Sequence, residues 1–441
     1  MDFLNKTLSV GVNKFAALLI DLFTTILLVR YLGNEDYGKY IFVYILPQLI
    51  GSIGTLGFGP SIVYHINKLK LYTPRAFGIN YLLIGLGLSA LYIAGIITFD
   101  HYFVNSFSDS NIPVVIFYIS LAYIPIIIIQ KYARSILRGL YKIKEYTYIY
   151  DIIASSIRFL LIISIVQLQM GFYAVCFVPL IVQLVICLIT IYIVARKDDA
   201  ENNYNLIKYS DNKRMFLFAI KSHLGSVIQK SNNHIILIIC GILVEKAELG
   251  YVSLSLSLIS AIRVLPHSVL LVLMPKVSKS TYHQVINQIP RVIRILTITS
   301  VPIIILYILF LPYFIPMLFG AEFNPVIKLS IPLAISSLSV PLSNTFLLSL
   351  TFTGHPEKKI YARGISLLFN IVLCYPLFLV SGLFGFILSV AISQIILFIC
   401  SLYLYQKKFS QKMYELFIIT KNDIVYIYNW LKNIKIGVFQ K

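Results

Sequence analysis

Apolar runs of about twenty residues recur along the entire chain, and short polar loops separate them. A helix that crosses a bilayer needs a run of about that length, because it rises 1.5 Å per residue through a hydrocarbon core of about 30 Å. The runs fall at 15–31, 40–64, 79–99, 112–130, 149–168 and 172–195, and then at 215–243, 250–275, 295–319, 326–350, 364–380 and 384–405. The spacing predicts twelve transmembrane helices and an all-α integral membrane protein. Hydrophobic residues make up 58% of the 441, and only 12% are charged. A soluble domain has no core large enough to hide that much apolar surface.

The positive charge sets an orientation. Of the 37 Lys and Arg, 29 fall in the segments that face one side if the crossings alternate: 1–14, 65–78, 131–146, 196–214, 276–294, 354–363 and 406–441. The opposite side holds only Arg30, Lys39, Lys246 and Lys328. Basic loops stay on the cytoplasmic side, so both termini are expected on the cytoplasmic side of the membrane. A net charge of +19 would suggest nucleic acid in a soluble protein. Here the charge is spread over loops between membrane spans, and nucleic acid is not an expected partner.

The chain also repeats itself. Asp36-Tyr37-Gly38-Lys39-Tyr40 follows the first run, and Glu248-Leu249-Gly250-Tyr251-Val252 follows the seventh, 212 residues later. Leu137-Arg138-Gly139 and Phe352-Thr353-Gly354 stand 215 apart, and Gly171-Phe172 and Gly385-Phe386 stand 214 apart. Two parallel six-helix repeats follow, with a site expected at their interface. The organisation read from this is an N-terminal lobe 1–195, a cytoplasmic linker 196–214, a C-terminal lobe 215–405 and a basic tail 406–441. In the tail, Ile424, Ile427, Tyr428, Leu431 and Ile434 fall at helical spacing, as in an amphipathic helix lying on an anionic leaflet.

Catalytic chemistry finds no foothold. The chain has no GxSxG, HExxH, P-loop or paired-carboxylate pattern. The five cysteines, Cys176, Cys187, Cys240, Cys374 and Cys400, lie in apolar runs without CxxC spacing, and they read as small buried hydrophobes. The first run, from Phe15, leads into Arg30-Tyr31-Leu32-Gly33 rather than a small-residue cleavage site, so it is expected to remain as the first helix. No enzyme activity, cofactor or metal is expected.

Several short motifs, in order, carry a resemblance: Leu28 through Gly38, Met274-Pro275-Lys276-Val277-Ser278, Phe319-Gly320-Ala321-Glu322-Phe323, and the block from Thr353 to Asn370. With these motifs the chain resembles the polysaccharide-unit flippases of the multidrug/oligosaccharidyl-lipid/polysaccharide exporter superfamily. The resemblance implies a V-shaped pair of six-helix lobes that works by alternating access. It implies as cargo an oligosaccharide on a polyprenyl diphosphate, destined for O-antigen (lipopolysaccharide), capsule or a related surface glycan. Membrane lipids and other polysaccharide-assembly membrane proteins are the implied partners. Peptidoglycan-precursor flippases of the superfamily usually carry two further spans, for which this chain has no apolar run left.

Charges inside the runs supply the candidate site. Arg158, Lys221, Lys230 and Arg263 lie within spans, against only Asp21 and Asp151. A charge at mid-bilayer costs about 2.5–3.5 kcal/mol even on lenient scales, so such residues face a cavity or a partner. Lys230 and His234 are four apart, as are Arg263 and His267, so each pair shares a helix face. The expected substrate-binding set is Arg158, Lys230, Arg263, His267, Lys221 and His234, waiting for an anionic diphosphate or acidic sugar. Lys221 lies near the cytoplasmic end and suits snorkelling equally well; the two histidines suit packing. Arg158 has Asp151 seven residues before it as a structural partner. Asp21 is the candidate for coupling to a proton or sodium ion, or for a salt bridge to Lys230 or Arg263. A multidrug exporter of the same superfamily remains the alternative, although its usually cationic cargo favours acids in the cavity. A membrane glycan polymerase or ligase stands behind it, for want of a large outer loop.

Overall fold

A computed structural model describes residues 2–59, 61–62, 74–98, 114–140, 148–195, 213, 216, 228, 234–263, 266, 282–352, 355 and 357–418. Every regular element among them is helical. In chain order these are α1 (Asp2–Ile53), α2 (Pro74–Thr98), α3 (Val114–Leu121), α4 (Tyr123–Gly139), α5 (Ala154–Gln167), α6 (Gly171–Ala195), α7 (His234–Leu243), α8 (Lys246–Ile262), α9 (Tyr282–Phe319), α10 (Pro325–Ser337), α11 (Ser339–Phe352), α12 (Glu357–Phe409) and α13 (Met413–Phe417). A π-helical turn, Tyr148–Ile153, leads into α5.

Among the described residues, eight helices are long and apolar enough to cross a membrane. Two of them have the length of a double crossing: 41 residues over Asn13–Ile53 and 53 over Glu357–Phe409. Each breaks at a glycine in a conformation that other residues rarely adopt, Gly33 at φ 71° and Gly382 at φ 57°. The breaks fall between the first and second runs and between the eleventh and twelfth. With the shorter α7 inside the seventh run and α8 overlapping the eighth, the helices are consistent with twelve crossings. Outward-facing side chains such as Tyr313 (73% exposed) and Val380 (82%) are apolar, a surface that calls for hydrocarbon rather than water. The chain is a multi-pass membrane protein. The amphipathic stretch expected within 421–441 lies outside the described residues.

The chain packs into two units. The first comprises Met1–Leu254 with Met317–Phe323, and the second Ser255–Pro316 with Asn324–Lys441. In the first unit, α4 packs against α1, α2 and α6. Phe58, Tyr81 and Tyr132 form an aromatic cluster there, with ring centroids 5.4–5.9 Å apart. In the second unit, α11 and α12 enclose Phe346, Leu347, Leu350, Tyr405 and Phe409.

The second crossing is not a plain helix. It unwinds over residues 54–57, where Leu56 (φ 44°) and Gly57 (φ 73°) are left-handed. Backbone carbonyls freed at membrane depth need partners, and side chains supply them. Lys131 donates to the Gly51 carbonyl at 2.6 Å, Tyr132 to Thr55 at 3.2 Å and Tyr92 to Gly54 at 3.3 Å. Lys131 counts in sequence as a loop cation, yet it lies within α4 and closes a helix break.

The internal repeat appears as a contact inside the first unit. A side-chain carbon on Gly38 would collide with the Lys246 carbonyl, and one on Gly250 would meet the Asn34 carbonyl at 2.8 Å. The offset of 212 that relates Gly38 to Gly250 also relates Asn34 to Lys246. The contact therefore reads the same from either side, as a two-fold contact must. Small residues at such a crossing let the backbones meet. Gly250→Val should destabilise the protein by about 1–3 kcal/mol through overpacking. Gly364→Ala, in a helix with open space around it, should stabilise it by about 0.5–1 kcal/mol. Thermal unfolding of the purified variants in detergent checks both.

Candidate functional site

In the first unit, α1 and α5 pack side by side and carry Asp21 and Arg158 to one place. Arg158 Nη1 donates to Asp21 Oδ1 at 2.9 Å. The two side chains are 35% and 43% exposed, so the pair lies on an open face rather than in a sealed core. Asp151 belongs to the π-helical turn, which runs on into the helix of Arg158. The acid that Arg158 meets nevertheless comes from the neighbouring helix, where a side chain can approach head-on. Among the described residues, Asp21 is bridged by Arg158. His234 opens α7 and is half-buried. Lys221, Lys230 and His267 lie outside the described residues.

In the second unit, Arg263 follows α8 directly, its N–H donating to the Ile259 carbonyl at 3.2 Å. Its Nη2 donates to Gln394 Oε1 on α12 at 2.7 Å. Ser336 Oγ on α10 donates to the same oxygen at 3.2 Å. Among the described residues, no hydrogen-bond partner meets the shielded Arg263 Nε. Among the described residues Arg263 forms no ion pair. The contrast with Arg158 is one of charge: one mid-span cation is neutralised by a carboxylate, while the other is held by a neutral amide.

A second buried guanidinium escaped the sequence reading. Arg363, counted there with the cytoplasmic segment 354–363, lies inside α12 and is 7% exposed. Its Nη2 donates to Asn344 Oδ1 on α11 at 3.0 Å. It begins a polar line along the buried face of α12, continued by Ser366 and Asn370. Ser366 donates to the Ser393 carbonyl at 2.7 Å, and Ser389 donates to Asn370 Oδ1 at 3.2 Å. The signal was present in sequence, because Arg363, Ser366 and Asn370 recur at helical spacing within an apolar stretch. A count of charges by loop cannot see it.

A crevice of about 660 Å³ between α2, α4 and α6 is apolar, lined by Tyr81, Ile129, Tyr132, Ile191 and Val194 among others, and holds none of these charges. All five cysteines are free thiols. Among the described residues, no cluster of His, Cys, Asp and Glu could hold a metal ion.

Half-exposed ion pairs contribute little to stability, about 0.2–1 kcal/mol. Asp21→Asn should therefore shift thermal unfolding only slightly and leave Arg158 with an uncancelled charge. A loss of several kcal/mol would instead place the pair in a closed interior.

Comparison with solved structures places this fold among transporters. The chain aligns with a lipid II flippase, MurJ, in an inward closed conformation at TM-score 0.71, with 14% identity over 91% of this chain and 89% of that one. An inward-facing multidrug resistance MATE family transporter of the MOP superfamily aligns at TM-score 0.68, with 16% identity over 91% and 98% of the two chains. A MOP superfamily transporter from Pyrococcus furiosus, described as having a binding pocket of reversed polarity, aligns at 0.63, with 14% identity over 92% and 95%. Among curated proteins there is no match. The family model described as polysaccharide biosynthesis protein matches residues 27–328, two thirds of the chain. With the fold of MOP superfamily transporters and that match, the chain belongs to the polysaccharide biosynthesis protein family.

Proposed function

We propose that the protein is a flippase that moves a polyprenyl-diphosphate-linked oligosaccharide across the bacterial cytoplasmic membrane for surface polysaccharide synthesis, by alternating access. The observation that carries this is Arg263, a mid-span cation with no carboxylate partner among the described residues. A guanidinium in a low-dielectric site calls for a counter-charge, and its forked donors match phosphate oxygens. A diphosphate supplies both. The sugar headgroup sits with it in a polar cavity, while the polyprenyl tail stays in lipid. Family membership supports the glycan pathway, and the lipid II flippase that shares the fold handles a lipid cargo by name.

The pair Asp21–Arg158 suits the coupling step. A proton or sodium ion at Asp21 removes the attraction to Arg158, and the released arginine is free to meet cargo. In this reading the six-helix repeats act as two lobes, with Lys221, Lys230, His234 and His267 completing the cationic lining and both termini cytoplasmic. A multidrug exporter needs the opposite sign, since a cationic drug is repelled by Arg263.

The test is transport of a fluorescent lipid-linked oligosaccharide in proteoliposomes. Arg263→Gln preserves shape and hydrogen bonding but removes the charge. It should lower the flipping rate by about tenfold or more, for about 1.4 kcal/mol of lost interaction, with the protein still inserted and folded. Unchanged flipping in that variant, or a drug-sensitivity phenotype on deletion without a glycan defect, overturns the reading.

A further inference from the structure

Gln394 stands where three helices of the second unit meet. It is 6% exposed, and Ser336 beside it is 2% exposed. Its side-chain oxygen accepts from Arg263 Nη2 at 2.7 Å, and Ser336 Oγ lies 3.2 Å from the same oxygen and 3.1 Å from the Leu333 carbonyl. A guanidinium can only donate, so the amide must turn its oxygen to Arg263, and the two meet in a fixed direction. A carboxylate in that position would make the same hydrogen bonds and add a negative charge. The amide offers one acceptor oxygen and an NH2 in place of the second, so it aims Arg263 without neutralising it. In the first unit the corresponding job is done by Asp21, and there the arginine's charge is cancelled.

We infer that Gln394 is a specificity-determining positioning residue, which fixes Arg263 toward a phosphate-type anion of the cargo while leaving its full positive charge available. The inference rests on the flippase reading and deepens it, because it assigns the sign selectivity of the site to the residue behind the arginine.

The decisive variant is Gln394→Glu, in the purified full chain in detergent, with undecaprenyl diphosphate and undecaprenol as probes. The expected result is a loss of about tenfold or more in affinity for the diphosphate, with undecaprenol binding unchanged and an unfolding midpoint no lower than that of the wild type. A residue with a merely structural role would not separate stability from anion affinity in this way. Gln394→Met, which keeps the charge balance but removes the acceptor, should lower the midpoint and weaken the diphosphate less. Equal diphosphate affinity in wild type and Gln394→Glu overturns the assignment, and so does failure of Gln394→Glu to fold, since an added ion pair at Arg263 must be accepted. If the wild type does not prefer undecaprenyl diphosphate over undecaprenol, the cargo reading fails by itself. Inorganic diphosphate then decides for Gln394. Raising the midpoint of the wild type and not of Gln394→Glu sustains the assignment; equal effects on both, or none on either, overturn it.

Discussion

A peptide group facing hydrocarbon has no water to turn to, and leaving it unpaired costs several kcal/mol. Continuous helices satisfy this by themselves. The informative places are those where the helices stop. Where the second crossing unwinds, Lys131, Tyr132 and Tyr92 take up the carbonyls of Gly51, Thr55 and Gly54. Before α6, the Gly171 N–H donates to the Tyr31 hydroxyl at 2.8 Å. At the end of α9, Arg30 donates to the Met317 and Leu318 carbonyls. Each interruption recruits a polar side chain that an uninterrupted helix would not need. Much of the polar residue content inside this membrane protein is therefore structural.

That accounting sharpens the meaning of the remaining charges. Lys131 and Arg30 meet backbone oxygens, and Lys246 lies 3.6 Å from the centre of the Phe42 ring while donating to the Gly241 carbonyl at 2.8 Å. Arg158 meets a carboxylate. Arg263, and Arg363 nearer the end of its helix, have neutral amides as described side-chain partners. A cation held but not cancelled suits an anionic cargo, and its hydrogen bond to α12 suits a site that must keep its geometry while lipid moves past.

The serine-rich interior of the second unit follows the same logic. Ser366, Ser389, Ser393 and Asn370 hydrogen-bond to one another or to backbone carbonyls. Such groups permit close helix packing and satisfy themselves locally. None of these groups carries a charge, so they satisfy the buried face of α12 without supplying a counter-ion.

Periodicity and charge in the amino-acid sequence were enough to establish that the chain is helical and crosses the membrane many times, because run length and loop charge respond to the bilayer and not to tertiary contacts. The repeat was equally legible, and Gly38 and Gly250, two of its landmarks, turned out to touch. Arg158, Arg263 and Asp21 could be named as charges within spans from their positions in apolar runs. Their partners could not. Asp21 meets Arg158 across 137 residues and Arg263 meets Gln394 across 131, and no local pattern encodes which helix lies beside which. The same holds for Lys131 and Arg363, which look like loop cations until helix packing draws them inside. Whether a buried cation is cancelled, and by what, depends on side chains brought together from distant helices, and that only the tertiary structure decided.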